Sequence, residues 1–177
     1  MYQVQRPPHN RTLPIRGLDY HVRTWGTRNP DQPPLLMVHG WMDIGASFQF
    51  MVDAMAQDRW VIAPDLRGFG NTKPAFADSF WFADYLADLD AILAHMVGDQ
   101  PIDLLGHSLG EVSAACVAGV MSFREALGLV CLRGQLFEQV PPGAMLSIAA
   151  GADEISPRLT GALGIAADNA PSVCTIS

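Results

Sequence analysis

Ser108 stands in the run Leu104-Leu105-Gly106-His107-Ser108-Leu109-Gly110-Glu111, with a glycine two residues away on each side. The run Ile102 to Leu105, apolar apart from Asp103, precedes it, and the small-residue run Val112 to Val120 follows at helical density. Strand, sharp turn and helix in that order are the setting that makes a serine a nucleophile. On such a turn the serine takes strained backbone angles and its hydroxyl is pushed outward, so the chains passing beside it need hydrogen for a side chain. The amide of Leu109 opens the helix and would point at a developing oxyanion, helped by the positive helix end. The chemistry implied is attack on a carbonyl through a covalent acyl-serine. The alternative is a glycine-rich turn whose serine merely caps the helix.

The chain of 177 residues suffices for one domain and a small appendage, and at 49% hydrophobic it can bury a core. A formal charge of -7 argues against nucleic-acid or anionic-membrane surfaces. Residues 1–10 hold no signal-like apolar run, and no later run is long enough to span a bilayer. Cys116, Cys131 and Cys174 lie in apolar contexts without metal-ligand spacing, so buried thiols, a cytoplasmic location and no metal are expected.

The elements that would position Ser108 are readable upstream. Residues 1–19 are rich in proline and arginine, with at most a short strand around Leu13 to Arg16. Tyr20 to Trp25 alternates like an edge strand. Leu35 to Val38 and Trp60 to Ala63 suit strands buried on both faces. Ala46 to Ala56 has helical spacing, and Trp81 to Val97 predicts an amphipathic helix with Asp84, Asp88 and Asp90 off its apolar face. Strand, helix, strand, helix, strand implies a parallel sheet, whose ligands gather at the carboxyl ends of the strands. His39-Gly40-Trp41, Asp65-Leu66-Arg67-Gly68 and Ser108 all fall just past strand ends, on one rim.

On those three motifs, with Phe69-Gly70 completing the second, residues 1–110 resemble an α/β-hydrolase of the small esterase type, the motifs lying within 20–110. The resemblance implies that Ser108 is the nucleophile and that the amides of Trp41 and Leu109 form the oxyanion hole. It makes His39 a loop-shaping residue, and Asp65 and Arg67 are expected to hold their loop by a salt bridge. After the elbow the pattern changes. Glu111 replaces the second glycine an esterase would have, and Ser122 to Val140 reads as one helix stopped by Pro141-Pro142-Gly143. From Gly106 to Ser177 the chain resembles the acyltransferase domain of polyketide and fatty-acid synthases, the malonyl-CoA:acyl-carrier-protein transacylase family. The residues that carry this are Gly106 to Glu111, Ser113 to Gly119, Ser122 to Ala126 and Leu132-Arg133-Gly134. Ala144 to Ile148 and Asn169 to Cys174 fit the first two strands of that family's small subdomain.

Together the two resemblances imply a hybrid joined at the elbow both share. The expected fold is a truncated α/β-hydrolase-like, mostly parallel sheet with flanking helices over residues 1–140, the elbow at 106–110. Residues 141–177 would add a partial ferredoxin-like strand-helix-strand appendage. Losing the later hydrolase strands would leave a sheet edge uncovered, through which copies could associate. The second resemblance places Arg133 where a carboxylate-gripping arginine would sit, since a guanidinium suits bidentate carboxylate binding; a solvated helix arginine is the alternative. Glu111, in the first helical turn, is read as structural.

Serine attacks only if something takes its proton. The histidines are His9, His21, His39, His95 and His107, and none follows Ser108. His107 adjoins it, but neighbouring side chains at a tight turn point apart. His39 shares the rim and is the candidate makeshift base. Asp153, Glu154 and Asp168 belong to the appendage and supply no secure catalytic acid. The expected function is therefore weak acyl transfer on an ester or acyl thioester, from acyl-CoA or an acyl-carrier protein, with no cofactor. A non-catalytic acyl- or carboxylate-binding domain, and a fragment without selected function, are the alternatives.

Overall fold

The structure, a computed structural model, describes residues 2–72 and 80–177. It divides into a larger unit, Val4–Gly134, and a smaller one formed by Gln135–Ser177 with the first residues of the chain. The larger unit holds strands β1 (His9–Ile15), β2 (Leu18–Trp25), β3 (Leu35–Val38), β4 (Val61–Pro64) and β5 (Asp103–Gly106), in the order β1-β2-β4-β3-β5. β3, β4 and β5 are mutually parallel, while β2 runs antiparallel to both β1 and β4. The sheet is therefore mixed, with the parallel strands as its site-bearing half.

β3 and β4 are buried at every position, as their unbroken apolar runs require. Alternation sends Leu36, Val38 and Ile62 to one face and Leu35, Met37, Val61 and Ala63 to the other. The first face is covered by α2 (Phe82–Met96) through Tyr85, Leu89, Ile92 and Met96. The second is covered by a short 3₁₀ turn, Gly45–Phe48, and α1 (Gln49–Ala54) through Phe48 and Val52. The single expected helix over 46–56 is thus a tighter turn followed by a shorter α-helix.

Three expectations are corrected here. β2 is an inner strand, because β1 pairs with it along its whole length from His9↔Thr24 to Ile15↔Leu18. β1 itself is the edge, which is where its Pro14 can be tolerated. Asp88 does not fall away from the core: it is fully buried beneath α2. Of the three thiols only Cys174 is buried; Cys116 is half-buried and Cys131 exposed.

β5 has one recorded neighbour, β3, so among the described residues the strand leading to Ser108 closes the sheet. α3 (Leu109–Val117) follows the elbow and packs on β3, β5 and α2. α4 (Phe123–Phe137) forms as expected, yet only Ala126 is buried in it. Phe123, Leu127, Leu129 and Leu132 are exposed, and no described strand lies beyond β5 in the sheet.

The smaller unit contains β6 (Leu146–Ile148), the single-turn α5 (Ala152–Ile155), β7 (Ile165–Ala170) and β8 (Val173–Ile176). Its order is β6-β8-β7, both pairings antiparallel. The appendage accordingly has one strand more than expected. β6 and β7 run parallel with β8 inserted between them, which is the split strand-helix-strand arrangement. No described helix is long and apolar enough to cross a membrane.

Candidate functional site

Ser108 sits at φ 58°, ψ −118°, one of three non-glycine residues with positive φ among the described residues, and α3 begins immediately after it. Its hydroxyl makes no capping hydrogen bond, which sets aside the reading of a serine that merely caps the helix. The strain is held by close backbone packing. A Cβ at Gly106 would lie 2.3 Å from the Gly110 carbonyl oxygen, and one at Gly110 would lie 2.2 Å from the Val38 carbonyl oxygen. The His107 amide donates to Val38 at 3.0 Å, and the Gly110 amide donates to His107 at 2.9 Å. Each glycine is therefore demanded by a neighbouring chain and not by turn propensity alone.

The loop after β3 reaches the same point. A Cβ at Gly40 would lie 2.9 Å from Ser108 Cβ and 3.4 Å from Ser108 Oγ. Trp41 follows Gly40 and Leu109 follows Ser108, so both proposed amide donors belong to residues adjoining this contact. Trp41 is exposed and meets Phe69, from the loop after β4, edge-on with ring centroids 5.2 Å apart. Met42, next along, is also at positive φ.

His39 is corrected as a base. It is fully buried, its Nε2 accepts the Leu66 amide at 2.8 Å, and its Nδ1 faces the Gly40 carbonyl at 2.7 Å. With Nδ1 donating and Nε2 accepting, the ring is a neutral tautomer with no lone pair left for Ser108. Burial pushes its pKa below the ordinary histidine value, against a smaller opposing pull from the Gly40 carbonyl. It pins the loop after β3 to the loop after β4, the loop-shaping role the first resemblance implies.

That burial fixes a pH dependence. In the unfolded chain His39 takes up a proton below about pH 6.5, whereas the folded chain resists it. The unfolded state therefore binds more protons in that range, and stability falls as the pH drops from about 6.5 toward the depressed folded value. Urea midpoints measured between pH 7 and 5 should decline, and His39→Gln, which keeps one donor and one acceptor, should flatten that decline.

Asp65 and Arg67 do hold the rim, but not through each other. The Asp65 carboxylate, fully buried, accepts from Arg23 Nη1 at 2.5 Å, the Gly45 amide at 2.8 Å and the Asn71 amide at 2.9 Å. His21 Nδ1 lies 3.0 Å from its second oxygen. Burial pushes this carboxyl up, but the two amides and the Arg23 guanidinium outweigh it and hold its pKa below the usual carboxylate range. Arg67 instead forks onto Asp88, Nε at 2.6 Å and Nη2 at 2.8 Å. Tyr20 donates to Asp88 at 2.9 Å and accepts the Arg67 amide at 2.9 Å. Burial, reinforced by Asp88, raises the Tyr20 pKa, while the hydrogen bond to Asp88 raises that of Arg67.

Among the described residues, none of the five histidines hydrogen-bonds to Ser108. His107 turns to Asp43, Nδ1 to Oδ2 at 3.7 Å, and is largely exposed. Asp43 also accepts the Ile44 amide at 2.8 Å. Phe69 closes the motif after β4, whereas Asp43 did not stand out in the sequence as part of the rim; it lies in a loop with no periodicity, and only the convergence of the loops brings it in. Arg133 is on α4 with its side chain exposed, and Asp153, Glu154 and Asp168 belong to the smaller unit.

Comparison with known proteins divides the chain as its motifs do. Residues 33–119 match the alpha/beta hydrolase fold and residues 86–177 match the acyl transferase domain, the two overlapping across the elbow. A phenolphthiocerol synthesis type I polyketide synthase of Mycobacterium marinum is 51% identical over 81 residues, covering 45% of this chain and 4% of that protein. The mycoketide-CoA synthase of Mycobacterium tuberculosis is 44% identical over 81 residues, again 45% of this chain and 2% of that protein. The chain thus spans a small fraction of the synthases it matches. Among solved structures, an epoxide hydrolase from Vigna radiata superposes with a TM-score of 0.56 at 24% identity, over 67% of this chain and 37% of that one. That likeness establishes the fold: an α/β-hydrolase-like mixed sheet with flanking helices, accompanied here by a second small sheet. With its carboxyl-terminal half matched throughout and its elbow shared by both patterns, the chain belongs to the acyl transferase domain family.

Proposed function

We propose that the larger unit is a serine acyl-transfer site working through an acyl-enzyme on Ser108. Ser108 Oγ attacks the carbonyl carbon of an ester or acyl thioester, and the amides of Trp41 and Leu109 receive the oxyanion. Collapse breaks the bond to the leaving alcohol or thiol, which departs with the serine proton relayed through water, and leaves the acyl group on Ser108. Water or a carrier-protein thiol then attacks the acyl-serine and frees the enzyme. The observation that carries this reading is the Ser108 backbone, held at positive φ before α3 with its hydroxyl uncapped. With no described histidine hydrogen-bonded to the hydroxyl, the rate is low: oxyanion stabilisation and binding alone sustain about 10³–10⁴-fold over water. Arg133 is proposed to meet the free carboxylate of malonyl-type acyl groups, on the strength of the family pattern.

A fluorophosphonate probe tests the reading. Stoichiometric labelling of the folded chain that disappears in Ser108→Ala is the expected result. No labelling in a sample shown to be folded by circular dichroism would leave a non-catalytic acyl-binding domain in its place. Incubation with malonyl-CoA, read by intact mass for a malonyl-serine, separates transacylation from simple ester hydrolysis.

A further inference from the structure

At the end of the sheet opposite Ser108 lies an open cleft of about 670 Å³. It forms where the amino end of β1 runs past the carboxyl end of α2. Alternation places His9, Arg11, Leu13 and Ile15 on one face of β1. Leu13 and Ile15 are buried in the core shared with α2, while His9 and Arg11 extend beyond the helix, exposed. His95, in the last turn of α2, and Arg28, after β2, complete the basic wall. Leu13, Trp60 and Met96 form an apolar floor, each nearly buried.

The charge of this cleft runs against that of the chain. The protein has 18 acidic and 11 basic residues, yet no described acidic residue lines the cleft. Two of its five histidines and two arginines converge there. At the carbonyl end of α2, Arg28 Nη2 donates to the Val97 carbonyl at 3.0 Å and to Gln100 Oε1 at 2.7 Å, with its guanidinium 5.8 Å from the Trp60 ring centroid, which offsets part of the negative helix end. Thr27 adds a neutral hydroxyl to the lining.

We infer that this cleft binds a phosphate-bearing anion, with Arg11, His9 and His95 around the phosphate and the Leu13, Trp60 and Met96 floor beneath the rest of the molecule. A guanidinium fork matches phosphate oxygens bidentately, and the volume lies in the range of small-ligand sites, larger than a bare phosphate needs. The inference is independent of the chemistry at Ser108.

Titration of the full chain with pyrophosphate, inorganic phosphate and AMP, followed by calorimetry in about 0.15 M salt, tests it. Saturable pyrophosphate binding is expected, weakened about tenfold by Arg11→Gln and again by His95→Gln, each replacing a charge-assisted contact. Arg124→Gln, an exposed change on α4, should leave it untouched. AMP binding more tightly than phosphate identifies a phosphorylated organic ligand resting on the floor; equal affinities identify phosphate itself, and both keep the site. No saturation by about 10 mM, or an equal loss with Arg124→Gln, would overturn it. So would binding of a glutamate-rich peptide where pyrophosphate fails, since that marks an acidic protein surface as the occupant.

Discussion

Asp88→Ala should destabilise the larger unit by about 3–5 kcal/mol, measured as the shift in urea unfolding free energy, because it strands a buried cation. Asp88 is fully buried and receives both arms of Arg67, the Tyr20 hydroxyl, and Arg16 Nη1 at 3.0 Å. Removing the carboxylate leaves the Arg67 guanidinium, itself only 7% exposed, facing its remaining recorded acidic neighbour Asp84 at 3.6 Å. Asp88→Asn, which keeps the volume and one acceptor, should lose less. Equal losses for the two variants would mean that packing, and not charge, is what Asp88 supplies. A loss under about 1 kcal/mol, the range of exposed ion pairs, would mean that water reaches Arg67 in solution.

Gly110→Ala carries the second large effect, and it acts on structure and labelling together. The added methyl would stand 2.2 Å from the Val38 carbonyl oxygen and 2.9 Å from that of His39, both main-chain atoms of the strand and loop that frame the site. Overpacking commonly costs about 1–3 kcal/mol, and backbone cannot yield as a flexible side chain does, so the upper end is expected. The relief available is for α3 to move off β3, which drags the Leu109 amide away from Ser108. Fluorophosphonate labelling should therefore fall more steeply than stability. Gly134→Ala, where nothing lies within 4 Å, is the matched control: inside the exposed helix α4 it should raise stability slightly, by up to about 1 kcal/mol, and leave labelling unchanged.

The three parallel strands and the elbow were legible because their signals are local. A four-residue apolar run followed by glycine specifies a doubly buried strand and its exit without help from distant residues. Leu35 to Val38 and the Gly106-x-Ser108-x-Gly110 spacing behave in that way. Other features depend on partners outside their own stretch of sequence. β1 is masked by Arg11 and Pro14 and becomes a strand because β2 lies beside it. Asp88 reads as a polar-face residue until Arg67, Tyr20 and Arg16 meet it from separate elements. His39 lies on the expected rim, but only its two hydrogen bonds reveal that its ring is already committed. The apolar face of α4 was visible as a pattern; its exposure was not, because a helical period does not say whether anything covers the face.

The position of β5 bears on how the serine behaves over time. A strand held from one side can peel away while the rest of the sheet stays shut, since local openings take far less energy than whole-domain melting. Amide exchange at Leu104 and Leu105 should then be quicker than at Leu36 and Ile62, and the competent arrangement around the hydroxyl would flicker at that faster pace. Its reactivity would be set by how often this rim zips closed.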